Sequence, residues 1–174
     1  MIRKAQIDDI WGILDIVERS VPLMQDVGND QWNSSYPSRE DFLKDIAAGE
    51  LFVETGSDRS VLSVICLNQV EPAEYEQVQW SRSRPSLVIH RMAVDPRYRG
   101  KGLAGKLFDF AERRARDLQF DSIRSDTCCR NPGMNSLFQK KGFKKTGTIR
   151  FAGSENDFYC YEKKLSERAT QQEN

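Results

Sequence analysis

Apolar residues recur at helical spacing in four stretches of the chain and gather at strand spacing in seven others. A first strand is expected at residues 2–5. Asp8 or Asp9 can cap a helix carrying Ile10, Ile13, Leu14, Val17 and Val21, which Pro22 and residues 26–37 should loosen or end. Ser38, with Asp41 three residues on, opens a second helix through Phe42, Leu43 and Ile46, closed by Gly49. Residues 51–55 and 60–70 read as a hairpin about the turn at 56–59. Residues 71–85 are polar and irregular. Residues 87–94 form the strongest strand signal, nearly all apolar apart from His90 and Arg91. After an Arg- and Gly-rich turn, Leu103, Ala104, Leu107, Phe108, Ala111, Ala115 and Leu118 make one helical stripe. A short strand at 121–126, a short helix at 132–141 and a hairpin of residues 143–151 with 158–165 complete the pattern. The expected fold is α/β (α+β): a twisted, mixed, mostly antiparallel sheet of six or seven strands with helices on both faces. It forms one domain over residues 1–165, followed by a polar tail at 166–174 that should fray.

Composition narrows the function. The chain has 174 residues, enough for one core, and its 26 basic and 26 acidic residues leave no formal net charge. A nucleic-acid binder would show a basic excess. No apolar run approaches the roughly 20 residues that span a bilayer, and the N-terminus lacks the apolar core of a signal peptide. Neither nucleic acid nor membrane is therefore expected as a partner, and the expected compartment is the cytoplasm. Cys66, Cys128, Cys129 and Cys160 form no C-x-x-C pair, and His90 is the one histidine, so no metal site is expected and the thiols should be reduced.

The richest stretch is Val94-Asp95-Pro96-Arg97-Tyr98-Arg99-Gly100-Lys101-Gly102-Leu103-Ala104-Gly105-Lys106. A strand enters a glycine-rich turn and an amphipathic helix leaves it. The unpaired N–H groups and dipole of a helix start attract anions, and glycine lets backbone approach phosphate closely. Arg97, Arg99 and Lys101 add positive charge, so a pyrophosphate is expected. The P-loop pattern fails, because Leu107 follows Gly105-Lys106 where Ser or Thr is needed for Mg²⁺. A dinucleotide reading of Gly100-x-Gly102-x-x-Gly105, with Asp126 as the ribose partner, stays as a minor alternative. Its surroundings read as hairpins rather than repeated βαβ units.

Arg99-x-x-Gly102-x-Ala104 resembles the R/Q-x-x-G-x-G/A motif of the GCN5-related N-acetyltransferases. His90 to Pro96 resembles their fourth strand, and Asn131-x-x-Met134-x-x-Leu137-Phe138-x-x-x-Gly142-Phe143 their later N-x-x-A-x-x-L-Y-x-x-x-G-F segment. The resemblance covers essentially the whole chain. It implies acetyl-CoA as cofactor, with the pantetheine arm paired to backbone at Met92 and Val94 like an added strand. The pyrophosphate would lie on the turn from Arg97 and Arg99 through Gly100, Lys101, Gly102, Leu103, Ala104 and Gly105, with Asn131 near the arm. It implies acetyl transfer by direct attack in a ternary complex, and a homodimer as a possible assembly. The family's usual Tyr acid is here Phe138, whose phenyl ring donates no proton. The thiolate could leave unprotonated, or Tyr159, Tyr161 or water could serve. An acyl-CoA-binding sensor or partner-binding domain with little or no catalysis is the alternative that Phe138 keeps open.

The attacking amine needs a route for its proton. His90 is one candidate, since strict alternation would put it on one face with Met92 and Val94. Asp126 is another, with a cap beside Asn131 as its competing role. Glu54 and Glu71 are less distinguished, and Cys128 and Cys129 offer a covalent route that the family does not generally use. Trp32, Tyr36 and Trp80, in irregular segments, are the expected walls of the acceptor pocket. The expected acceptor is a small-molecule amine, with a protein N-terminus or lysine also open.

Overall fold

The computed structural model describes residues 1–81 and 85–165; the expected frayed tail at 166–174 lies outside the described residues. Seven strands form one sheet: β1 (Ile2–Lys4), β2 (Leu51–Thr55), β3 (Val61–Asn68), β4 (Leu87–Val94), β5 (Ser122–Cys128), β6 (Lys144–Ile149) and β7 (Phe158–Lys164). They lie in the order β1-β2-β3-β4-β5-β7-β6. All neighbours are antiparallel except β4 and β5, which run parallel because α3 (Leu103–Asp117) crosses between them.

Helices cover both faces. On one, α1 (Ile10–Gln25) and α2 (Arg39–Ala48) bury Ile13, Ile16 and Phe42 against Leu51, Val53, Val64 and Cys66. Farther along the same face, a 3-10 turn at Ala73–Gln77 seats Tyr75, and Val78 just beyond it, on Val88, Cys128 and Cys160. On the other, α3 and α4 (Pro132–Lys140) bury Leu107, Phe108, Ala111 and Phe138 against Ile65, Leu67, Ile89 and Ile123. Burying one large apolar side chain stabilises by about 1.5–3 kcal/mol, so these layers hold the sheet.

The local signals mostly act as read. Ser38 and Asp41 form a reciprocal capping box, and Gly49 ends α2 in the left-handed conformation, φ 69°. Leu118, expected in the helical stripe, lies past α3 and is half exposed. Pro22 does not stop α1. It removes the bond to the Glu18 carbonyl, but Glu18 faces solvent, and the Pro22 carbonyl still accepts from Asp26 N–H at 3.0 Å. Among the described residues, no helix is long and apolar enough to cross a membrane.

Candidate active site

β4 and β5 pair at two positions only, Leu87 with Ile123 and Val88 with Arg124. Beyond them the strands separate. The Ser125 hydroxyl donates to the Ile89 carbonyl at 3.0 Å and marks the apex of the gap. The gap widens into a cleft of about 940 Å³, lined by β4 from Ile89 to Val94, by Asp126, by the start of α4, and by residues 29–33. A volume of that size suits a small-molecule or cofactor site.

A β-bulge sets what β4 presents. Cys66 pairs with His90 but Val64 pairs with Ala93, so Arg91 and Met92 together oppose Ile65. Arg91 takes φ 41°, unusual for a residue with a side chain. Its guanidinium is clamped by Asp45 from α2, Nε to Oδ2 at 2.6 Å and Nη2 to Oδ1 at 2.7 Å. The extra residue reverses the alternation. His90 and Ala93 share the α1/α2 face with Cys66 and Val64, whereas Met92 packs into the α3/α4 core. The expectation that His90 shares a face with Met92 and Val94 is thereby corrected.

The glycine turn is open as the motif requires. Gly100 and Gly102 have φ 76° and 78°, and nothing lies within 4 Å of where a Cβ would stand. The Lys106 N–H to Gly102 carbonyl bond, 3.1 Å, opens α3 and leaves the N–H groups of Leu103, Ala104 and Gly105 facing the turn. Arg99 and Ala104 line the cleft, and Lys101 sits with its ammonium 4.8 Å from the Tyr98 ring centre. The Leu103 side chain is buried, so its part is its N–H. This cradle of free donors fits a pyrophosphate. Arg97 is diverted: its guanidinium binds the buried Asp95 at 2.8 Å and does not line this cleft.

Two titratable groups face the opposite wall. Asp126 accepts from the Tyr75 hydroxyl at 2.8 Å, rather than acting as a cap. Burial pushes its pKa up to about 6, against the lowering effect of the Tyr75 bond, with Glu74 adding repulsion. His90 Nε2 lies 2.9 Å from the Val70 carbonyl, which can only accept, so Nε2 carries the proton and Nδ1 a lone pair. Burial, helped by the Arg91 charge, pushes the His90 pKa down to about 4. His90 is therefore neutral, and a weak base, near pH 7.

Asn131 lines the cleft and caps α4, its Oδ1 accepting from Met134 N–H at 3.1 Å. Phe138 also lines it, with its ring stacked on Tyr161 at 4.6 Å. The Tyr161 hydroxyl is spent on Asn135 Oδ1 at 2.7 Å, and the Tyr159 ring lies under the Lys145 ammonium at 3.2 Å. Trp32 and Tyr36 line the cleft, whereas Trp80 does not. Trp80 donates from Nε1 to the Tyr75 carbonyl at 2.9 Å and lies under the Arg124 guanidinium, 4.5 Å from its ring centre. Glu54 pairs with Lys106 and Glu71 with Arg124.

All four cysteines are free; Cys128 and Cys129 do not line the cleft, and burial pushes the Cys128 thiol up. Asp45, Glu50 and Cys66 lie within 4.8 Å of one another, yet the cation already there is Arg91. Sequence reasoning missed Tyr75 and the Arg91–Asp45 clamp, since neither falls on a periodic or motif position.

The Acetyltransferase (GNAT) family profile matches residues 17–143. The chain is 23% identical over 164 residues to the uncharacterized N-acetyltransferase YesJ of Bacillus subtilis (strain 168), covering 91% of this chain and 87% of that one. A GNAT-family acetyltransferase of Streptococcus agalactiae 2603 superposes with a TM-score of 0.81 at 24% identity, covering 96% of both chains. One from Listeria monocytogenes 4b F2365 gives 0.73 at 20% identity, covering 95% of this chain and 94% of that one. With the split between β4 and β5 and the open glycine turn beside it, the match shows that this chain belongs to the GNAT family and is an acetyltransferase.

Proposed function

We propose that the protein transfers the acetyl group of acetyl-CoA to a primary amine of a small molecule, by direct attack within a ternary complex. The observation that carries the reading is the pairing, across one cleft, of a free β4 edge and phosphate cradle with a part-buried carboxylate, Asp126. When bound, acetyl-CoA supplies an activated acetyl thioester. Backbone at Met92 and Val94 would pair with its arm, and the N–H groups of Leu103 to Gly105, with Arg99, would hold its pyrophosphate. Asp126 accepts the proton that the attacking amine sheds. With a pKa of about 6 it is ionised at neutral pH and a stronger base than an ordinary carboxylate. His90 Nδ1 offers a second acceptor for orienting the amine. Phe138 donates nothing to the departing sulfur; a thiol pKa of about 8.5 makes the thiolate a tolerable leaving group.

The acceptor end carries an apolar shelf beside the polar residues 29–31 and 33. Leu23 on α1 and Val27 just past its end are 42% and 54% exposed and line the cleft with Met24, Trp32, Tyr36 and Phe151. An amine on an uncharged, apolar body suits this shelf better than a polyamine. On this reading the protein works in the cytoplasm, and four unpaired thiols support that compartment.

The test is thermal unfolding with acetyl-CoA, then acetylation of an amine panel followed by thiol release. Acetyl-CoA at a hundred times its Kd should stabilise by about 2.7 kcal/mol, and arylalkyl amines should outpace spermidine. No stabilisation by acetyl-CoA would overturn the reading.

A further inference from the structure

Asp126 owes its setting to a segment that carries no family motif. The 3-10 turn at Ala73–Gln77 projects Tyr75, only 2% exposed, so that its hydroxyl meets Asp126 Oδ2 at 2.8 Å. A carboxylate only accepts, so the phenol is the donor. The turn is fixed from three sides. The Tyr75 carbonyl accepts from Trp80 Nε1 at 2.9 Å, and the two rings pack 4.8 Å apart. Arg124 covers Trp80 and is itself bound by Glu162 at 3.1 Å and Glu71 at 2.6 Å. Val78 sits so tightly on β6 that a Cβ on Gly147 would come within 3.0 Å of it.

We propose that Tyr75 is the positioning residue of the transfer reaction, its hydroxyl fixing the Asp126 carboxylate toward the cleft with Oδ2 bonded and Oδ1 left for the amine. The inference rests on Asp126 being the proton acceptor. The groups facing Asp126 are Tyr75 and Glu74 from the turn, Cys160 paired with it on β7, and His90 on the neighbouring β4. A donor on an ionised oxygen favours the charged form, so its loss must raise the pH at which Asp126 ionises. A residue that only fills the core would leave that pH alone.

The experiment is the pH profile of kcat/KM for acetyl transfer to the best panel amine, in the wild type, Tyr75→Phe and Asp126→Asn. In the wild type the rate should rise through about pH 6. Tyr75→Phe should move that limb up by about one pH unit while restoring most of the rate at pH 9. Asp126→Asn should lose at least a hundredfold at every pH. An unmoved limb in Tyr75→Phe, with Asp126→Asn inactive, overturns the inference and leaves the acceptor assignment standing. Full activity in Asp126→Asn removes the acceptor assignment, and the inference falls with it. Should Tyr75→Phe not fold, ¹³C titration of the unaltered enzyme decides. The Tyr75 Cζ signal should move with the Asp126 carboxyl near pH 6, and a silent Cζ overturns the inference.

Discussion

Replacing Asp45 by Asn tests whether the Arg91 clamp holds the bulge that shapes the cleft. The pair is bidentate, 2.6 and 2.7 Å, and its side chains are 15% and 8% exposed. Removing the charge from one partner of a buried pair costs about 3–5 kcal/mol, because the other charge stays desolvated. Asn retains one acceptor, which points to the lower end, about 3 kcal/mol. Arg91 also holds φ 41°, a conformation costing a side-chain-bearing residue about 1–3 kcal/mol and kept only while its surroundings enforce it. For a domain of this size each kcal/mol moves Tm by about 2–4 °C, so Asp45→Asn should lower Tm by about 6–12 °C. The β4 backbone at Met92 should shift as well, and acetyl-CoA should then stabilise the variant less than the wild type. Scanning calorimetry with and without acetyl-CoA measures both. A double variant, Asp45→Ala with Arg91→Gly, removes both partners and suits φ 41° to glycine, so it should recover more than half of the loss. A Tm within 2 °C of wild type and undiminished acetyl-CoA stabilisation in Asp45→Asn would refute the reasoning.

Gly102→Ala should weaken acetyl-CoA binding about tenfold and cost only about 1 kcal/mol of stability, because the methyl meets no protein atom but covers the cradle; isothermal titration and unfolding separate the two. Arg99→Ala should raise KM for acetyl-CoA several-fold, whereas Arg97→Ala, whose guanidinium serves Asp95, should leave KM within about twofold and lower Tm. His90 and Asp126 should oppose each other in the pH dependence of stability. Folding depresses the His90 pKa to about 4, so the unfolded chain binds the proton first and stability falls as pH drops from about 6.5 to 4. Folding raises Asp126 to about 6, so its protonation adds stability as pH drops from 6 to 4. Urea titrations should therefore show His90→Asn gaining stability over that window and Asp126→Asn losing it. Asp9, Asp95 and Glu162, held below the usual carboxylate range, lose their contribution only as pH falls below about 4.

The motifs that sequence reading caught are local: a capping box within four residues, a glycine turn within six, an amphipathic stripe on one helix. Each is decided by neighbours in the chain, so the residues announce it. What escaped depends on partners far away. The bulge at Arg91 needs Asp45, 46 positions earlier, and strict alternation carried His90 to the wrong neighbours. Tyr75 reaches Asp126 across 51 positions from a polar stretch with no period. Arg97 and Arg99 are chemically alike, and only the buried Asp95 distinguishes them. Trp80 looked like a pocket wall because an aromatic residue in a loop says nothing of whether a cation waits above it.

The two outer strands have a consequence for how copies of this chain meet. β1 is three residues long and ends in Arg3-Lys4, while β6 begins with the exposed pair Lys144-Lys145 and loses register with β7 before Gly147. A second sheet laid along β6 would set ammonium groups beside one another and meet a backbone whose hydrogen bonds fall out of step. Along β1 it would find too few partners to hold. The sheet is therefore closed to lateral growth, and this protein should resist stacking into fibres at concentrations where flat-edged sheets of the same size begin to do so.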